Sequence, residues 1–183
     1  PYQKYFWGVS TSVKMGKEER EQGIKMLNDK FPLLKNGRNI QNPKYNPVYH
    51  PKGPAFKGNL YLLIDEGVAS AASHFASLVK AYARNATIVG VETVGGYYAH
   101  NGHIPFVYEL PNSKIKSKFS IVYVEQDAPQ KPDQPDGRGI IPDYEIWPRF
   151  DDFMKNTDTQ MEFVLKLINE KTQERQGMLE TRS

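Results

Sequence analysis

Two short apolar segments with an amphipathic helix between them restrict the fold of this chain more than any other feature. Leu60–Asp65 is apolar at successive positions, which is typical of a strand whose sheet is covered by helices on both faces. Ser70–Ala83 carries apolar residues at helical spacing, and Thr87–Val91 is the next apolar strand. Strand, helix and strand in this order predict a right-handed βαβ unit, and therefore an α/β fold.

A serine stands at the turn between the first strand and the helix. A turn at this point can expose the Ser70 hydroxyl, and the first amides of the helix point at the same place. Those amides carry partial positive charge and can stabilise an oxyanion. Ser70 is therefore a candidate nucleophile. The alternative is that Ser70 only caps the helix, because serine is among the favoured residues at that position.

Three further groups of candidate residues follow the second strand. Gly95 and Gly96 come soon after it and either let a ligand backbone approach closely or form a simple turn. His100 and His103 are candidates for the general base of a serine nucleophile, with a loop position as the alternative. Asp136 begins an Asp-Gly turn signal, which predicts either a simple turn before a short strand or a functional segment in which Asp136 or Asp143 orients the base or anchors the active-site loop.

Two other roles for the histidines are less favoured. His100 and His103 could form a metal pair, but no carboxylate lies at ligand spacing, so no metal is expected. His74 lies one helical turn beyond Ser70, and we expect a partly buried helix residue there rather than the base.

The remaining segments are predicted from the same kinds of pattern. Residues 31–57 contain five prolines and are predicted to be an irregular, aromatic-rich flap. The spacing of Thr159 and Glu162 predicts a capping box for a C-terminal helix, and the polar tail after Lys171 is expected to fray. The other predicted elements are a helix at Glu18–Lys30 and two paired strands at Ile104–Leu110 and Lys118–Glu125.

Composition excludes several classes of protein. The chain has 183 residues, of which 39% are hydrophobic, so it can form a sizeable core. It contains no cysteine, which excludes disulfides, thiolate metal sites and a cysteine nucleophile. Its net charge is only +3 with scattered basic residues, so nothing indicates binding to nucleic acid.

Three segments, in this order, resemble the tail-specific (C-terminal processing) serine peptidase family. They are residues 63–73, 86–96 and 137–143, with the sequences LIDEGVASAAS, ATIVGVETVGG and GRGIIPD. The resemblance implies a ClpP/crotonase-like layered αββ fold. It also implies that Ser70 is the nucleophile and that the amide of Ala71 forms part of the oxyanion hole.

The chain also departs from the family pattern. The better-known branch has a catalytic Lys where this chain has Gly96, and a Glu where it has Ser73. A second, tricorn-like branch uses Ser with a His and an acidic residue, and Asp136 occupies the acidic position. The Asp-Leu-Arg strand and loop that normally precede the nucleophile are missing. The resemblance therefore implies an incomplete portion of the fold, with upstream residues and their histidine supplied from outside the chain.

These observations lead to one functional prediction and one alternative. We expect a serine endopeptidase that acts on peptides or proteins, needs no cofactor, and uses His100, His103 or an outside histidine as base.

The resemblance further suggests an exported bacterial protein, periplasmic or on the cell surface, and an exposed sheet edge could support a homo-oligomer. Three parts are expected: an N-terminal helix and the flap in 1–57, the C-terminal part of the catalytic core in 58–150, and a C-terminal helix and polar tail in 151–183. The alternative is a non-catalytic ligand-binding protein on the same scaffold, with an aromatic pocket around Tyr97 and Tyr98.

Overall fold

The computed structural model describes residues 6–48, 50, 53–54 and 56–180. The chain divides into two compact units. Unit 1 comprises Pro1–Phe56 and Gly102–Val122, and unit 2 comprises Lys57–Asn101 and Tyr123–Ser183. The three-part division expected from the sequence stays a prediction.

In chain order the elements are β1 (Phe6–Gly8), α1 (Lys17–Lys30), β2 (Leu33–Lys35), β3 (Arg38–Ile40), β4 (Leu60–Ile64), α2 (Ala71–Tyr82), β5 (Ala86–Gly90), β6 (Ala99–Glu109), β7 (Lys116–Glu125), β8 (Tyr144–Glu145), α3 (Phe150–Met154) and α4 (Thr159–Glu180).

Unit 1 contains a three-stranded sheet in the order β1-β6-β7. β1 runs antiparallel to β6, and aromatic rings pack across the sheet, with Tyr108 stacked on Phe119 at a centroid distance of 5.3 Å. The predicted helix at Glu18–Lys30 and the two predicted long strands are confirmed as α1, β6 and β7.

The segment predicted to be irregular holds a short hairpin. β2 and β3 pair antiparallel from Leu33↔Ile40 to Lys35↔Arg38, and a single 3-10 turn follows at Pro43–Tyr45. The expectation of a structureless flap is therefore wrong for residues 33–45, because a tight turn at Asn36-Gly37 lets two three-residue strands pair. Residues 1–5, 49, 51–52 and 55 of the first predicted part lie outside the described residues.

Unit 2 is built on a parallel sheet in the order β4-β5-β8. β4 and β5 are in register from Leu60↔Ala86 to Ile64↔Gly90, and α2 connects them, so the predicted strand-helix-strand unit with parallel strands is confirmed. β8 then adds two residues to the other side of β5.

Helices cover both faces of this sheet, as the apolar character of β4 predicted. Ile64 and Ile88 form the core with Ala76 and Val79 of α2. Tyr61 points the other way, because successive strand residues alternate between faces, and its ring lies 5.6 Å from the Lys171 ammonium of α4. The carboxyl end of β4, from which the site is built, is therefore held in a layered core.

The C-terminal helix differs from its predicted form at both ends. Its cap is Asp158, whose carboxylate accepts hydrogen bonds from the amides of Gln160 and Met161, each at 3.0 Å. The predicted capping box is therefore wrong, and the Thr159 hydroxyl instead donates to the Asp152 carboxylate at 2.8 Å. The predicted fraying after Lys171 is also wrong, since α4 continues to Glu180, where the described residues end.

The fold class predicted from the sequence is confirmed: helices and sheets combine in an α/β fold. The finer expectation of a ClpP/crotonase-like layered αββ arrangement stays a prediction. No helix among the described residues has the length and apolar character needed to cross a membrane.

Candidate active site

Ser70 occupies a strained turn between the carboxyl end of β4 and the first residue of α2. Its backbone angles are φ 54° and ψ −123°, in a region that residues with a Cβ atom rarely adopt. Such a conformation costs about 1–3 kcal/mol and concentrates at functional sites. The side chain is exposed, and its hydroxyl makes no capping hydrogen bond to α2. Ser70 thus stands at the N-cap position of α2, as the alternative predicted, but its hydroxyl does not cap the helix.

Hydrogen bonds within the turn hold Ser70 in this position. The Gly67 amide donates to the Asp65 carboxylate at 2.8 Å, and the Val68 amide donates to the Asp65 carbonyl at 3.1 Å. The Val68 carbonyl in turn accepts from the Gly95 amide at 3.1 Å. A sharp strand-to-helix turn of this kind is how a nucleophilic serine is exposed on other α/β folds.

The amide of Ala71 is available next to the Ser70 hydroxyl. The Ala72 amide donates to Ala69 at 3.1 Å and the His74 amide donates to the Ser70 carbonyl at 2.9 Å. Among the described residues, no hydrogen bond is formed by the Ala71 amide. The first turn of a 12-residue helix adds its partial positive charge at this point. The arrangement can therefore stabilise an oxyanion that forms beside Ser70.

The structure brings one predicted histidine to the helix that begins at Ser70. His100, at the start of β6, lies next to His74, with ring centroids 6.4 Å apart and both side chains half-buried. His74 is thus the partly buried helix residue that the sequence predicted. Its closeness to His100 was missed, because only the fold brings β6 against the first turn of α2. His103 is exposed and belongs to unit 1.

Gly95 and Gly96 are both in close contact with neighbouring backbone or side chains. A Cβ atom at Gly95 would overlap the side chain of Ser73, and one at Gly96 would overlap the carbonyl oxygen of Ala99. Their polar groups are also used, because the Gly95 amide donates to Val68 and the Gly96 carbonyl accepts from the Gln126 amide group at 2.6 Å. The glycines are thus required by packing, and their contact with a substrate stays a prediction.

The segment that contains Asp136 is fastened to the segment that follows β5. Arg138 forms a two-bond ion pair with Glu92, and the Gly139 amide donates to the same carboxylate at 2.8 Å. The Arg138 guanidinium is the main reason that the pKa of Glu92 is lowered from its ordinary value. Asp136 itself is exposed in the Asp136-Gly137 turn. Its role as an orienting residue stays a prediction.

Lys80 is the centre of a second, structural network and cannot act on Ser70. Its side chain is 5% exposed and forms ion pairs with Asp133 at 3.0 Å and Asp143 at 3.1 Å. Asp143 also accepts from the Ile88 amide at 2.8 Å, so it anchors the loop to β5. Lys80 lies ten residues beyond Ser70, about 15 Å along a helix, which excludes it as a base.

A cavity of about 250 Å³ lies beside this network, at the opposite end of α2 from Ser70. Its lining includes Lys80, Arg84 and Lys131 with the carboxylates of Asp133 and Asp143. Within the described ranges, no group of three or more His, Asp or Glu side chains could hold a metal ion.

Comparison with known proteins places the chain in a family. An exposed serine on a strained strand-to-helix turn, beside an available amide, is the arrangement of a serine nucleophile. Residues 13–146 match the model of Peptidase family S41, which is more than half of the chain, and the chain belongs to this family. Membership indicates serine-type peptidase activity and a peptide or protein substrate. No curated protein matches the chain.

Proposed function

We propose that this protein is a serine endopeptidase of the tricorn-like, lysine-lacking branch of its family, with Ser70 as the nucleophile. The observation that carries the proposal is the Ser70 turn, with φ 54° and ψ −123°, an exposed hydroxyl and no capping bond. A serine with only a structural role would gain nothing from this costly conformation, whereas a nucleophile needs the exposure that it gives.

The chemistry follows from the groups around that turn. The Ser70 oxygen attacks the carbonyl carbon of the scissile peptide bond while its proton passes to a histidine base. The Ala71 amide donates a hydrogen bond to the oxyanion of the tetrahedral intermediate. The intermediate collapses to an acyl-enzyme as the histidine returns its proton to the leaving amine, and water then releases the acyl group. No metal or organic cofactor takes part in these steps.

His100 is the preferred base within the described chain. The support is its place beside His74, on the first turn of the helix that starts at Ser70, with the two rings 6.4 Å apart. His103 and a histidine from outside the chain are the other two candidates, and Asp136 is the proposed orienting carboxylate.

The alternative function, a non-catalytic ligand-binding protein, lacks the structural feature that was expected to support it. An aromatic pocket around Tyr97 and Tyr98 would have supported it. Tyr97 is instead fully buried in the core, and burial raises its pKa to about 12. The Tyr98 hydroxyl donates to the Gln134 carbonyl at 2.7 Å. Both rings therefore serve the packing of unit 2.

Labelling with a fluorophosphonate tests the nucleophile. We expect the natural full-length protein to form a covalent adduct on Ser70, located by mass spectrometry of the digested protein. The adduct should disappear in Ser70→Ala, and a matched change of the nearby buried Ser77 to Ala should leave it in place. A folded protein without any adduct would contradict the proposal and favour the binding protein.

Replacement of Asp136 by Asn tests the orienting carboxylate. An orienting role predicts that turnover falls by about a hundredfold or more, because the base loses its preferred tautomer and orientation. The midpoint of thermal unfolding should change by no more than that of Glu174→Gln, a change at an exposed position of α4. A loss of stability without a specific loss of turnover would assign Asp136 to the turn alone.

Two properties of the whole protein are proposed with it. Export to the periplasm or cell surface of a bacterium is supported by the family resemblance, and cell fractionation with a periplasmic marker would test it.

Self-association is supported by three exposed apolar side chains on α4, and sedimentation velocity over a hundredfold concentration range would test it. These side chains are Met161, Leu165 and Ile168.

A further inference from the structure

The hydroxyl of Ser73 lies at the base of the Ser70 turn, and the chemistry proposed above does not use it. Ser73 has no exposed surface, and its Oγ donates a hydrogen bond to the Ser70 carbonyl oxygen at 2.9 Å. The same carbonyl accepts from the His74 amide at 2.9 Å. Two donors from the first turn of α2 thus fix the direction of one carbonyl group.

Fixing the direction of the Ser70 carbonyl also fixes the direction of the Ala71 N–H, which is the proposed oxyanion donor. The carbonyl of Ser70 and the amide N–H of Ala71 belong to one peptide unit, which is planar and trans, so the two groups point in opposite directions. With the carbonyl turned into the helix towards Ser73, the Ala71 N–H is turned out of it. A rotation that released the carbonyl would swing the N–H away from its position by the same angle.

The contact with Gly95 keeps the Ser73 side chain in this place. A Cβ atom at Gly95 would overlap both the Oγ and the Cβ of Ser73, and its next nearest neighbour would be Ala69 at 3.1 Å. The Ser73 hydroxyl is therefore enclosed between the Gly95 backbone and the Ser70 carbonyl.

We propose that Ser73 is a positioning residue that aims the Ala71 amide at the developing oxyanion through the shared Ser70–Ala71 peptide plane. The inference rests on the proposed function, because it assigns a role in the reaction of Ser70. A buried serine that bonds to a carbonyl three residues earlier is also found in ordinary helices, so the test separates a local helix contact from a positioning role.

Ser77 provides a matched control one turn further along the same helix. It is also fully buried, and its hydroxyl donates to the Tyr97 carbonyl at 2.8 Å. Ser73→Ala and Ser77→Ala therefore each remove one buried hydroxyl and one bond to a backbone carbonyl. Only the first of these bonds involves the peptide unit that carries the oxyanion donor.

The experiment compares fluorophosphonate labelling rates of the two variants, each corrected for its folded fraction. We expect Ser73→Ala to slow the labelling of Ser70 by about tenfold or more, because small misplacements of reacting groups have large effects on rate. Ser77→Ala should stay within about twofold of the unsubstituted protein. If Ser73→Ala does not fold, Ser73→Cys, which keeps the shape of the side chain with a slightly larger atom that donates only weakly, replaces it in the same comparison.

The outcomes separate this inference from the proposed function. If the unsubstituted protein labels at Ser70 and both variants slow it equally, Ser73 has only a structural role and the inference alone is overturned. If the unsubstituted, folded protein does not label at all, the proposed function fails and the inference fails with it.

Discussion

At the scale of single residues, Gly95 is the position where a one-carbon change would disturb the site most. Its amide donates to the Val68 carbonyl within the Ser70 turn, and its Cα faces the buried side chain of Ser73. Neither neighbour can move without displacing the start of α2. The glycine is therefore a close-packed part of the turn.

We expect Gly95→Ala to lower the free energy of unfolding by about 3 kcal/mol, because the added methyl group overlaps Ser73. It should also slow fluorophosphonate labelling of Ser70. Gly23→Ala is the control, since its nearest neighbour would be Met15 at 4.0 Å and alanine favours the helical state of α1. Chemical denaturation measures both variants. Equal stabilities would contradict this account of Gly95.

At the scale of elements, the site is held by the connection of two segments that are distant in sequence. The Arg138 side chain and Gly139 amide both bind Glu92, and the Ile140 amide donates to the Thr93 hydroxyl at 2.9 Å. These bonds fasten the loop containing Asp136 to the segment that leads to Gly95. Loss of this connection would release the segment that contacts the Ser70 turn.

The stability supplied by Glu92 should depend on pH. Because Arg138 lowers the pKa of Glu92 in the folded state, the stabilisation is present above the ordinary value of 4.5 and is lost as pH falls through the lower folded value. We expect Glu92→Gln to cost about 1 kcal/mol at pH 7 and progressively less below pH 4.5. Denaturation measured across pH tests this dependence.

Glu170→Gln is the control for that measurement. Glu170 pairs with Lys166 at 3.9 Å, and their side chains are 54% and 75% exposed, so its loss should have almost no effect at any pH. A Glu92→Gln difference that stayed constant from pH 7 to pH 3 would show that the ion pair with Arg138 is not its source.

At the scale of the whole molecule, activity and folded structure should be lost in different pH ranges. A histidine base loses its function as pH falls through about 6.5, the ordinary pKa of histidine. The partnered carboxylates of Glu92, Asp133 and Asp152 have lowered pKa values, owing to Arg138, Lys80 and Arg149 respectively, so the fold should persist to below about pH 4.

We therefore expect peptide hydrolysis to decline near pH 6.5 while the near-ultraviolet circular dichroism of the protein stays unchanged. Rates and spectra recorded on the same samples between pH 8 and pH 4 make the comparison. Hydrolysis that continued undiminished at pH 5 would exclude a histidine base. A simultaneous loss of rate and spectrum would point to unfolding as the cause.

Much of this molecule could be predicted from its sequence, for reasons that differ between its parts. The apolar runs of β4 and β5 specify buried parallel strands, and the position of Ser70 between them identifies the strand-to-helix turn. The hairpin of β2 and β3 was missed, because two three-residue strands carry too little periodicity. Asp158 was missed as the cap of α4, because Thr159 offers an equally plausible capping side chain one residue later.

The arrangement around Ser70 lay beyond sequence patterns for a different reason. His100 meets His74 only because β6 returns to the first turn of α2, and sequence spacing does not encode that approach. The positive φ of 54° at Ser70 was also beyond reach, because residues other than glycine rarely adopt it and no local propensity predicts it. The approach of β6 to α2 is set by tertiary packing.

The backbone angles of Ser70 have a practical consequence for anyone who engineers this protein for heat resistance. Glycine adopts such angles without the steric cost that a Cβ atom imposes, so a glycine at position 70 would relax the turn. A library ranked by melting temperature alone would thus enrich variants that have lost the attacking oxygen. A search for more heat-stable variants of this protein therefore has to measure turnover as well as melting temperature.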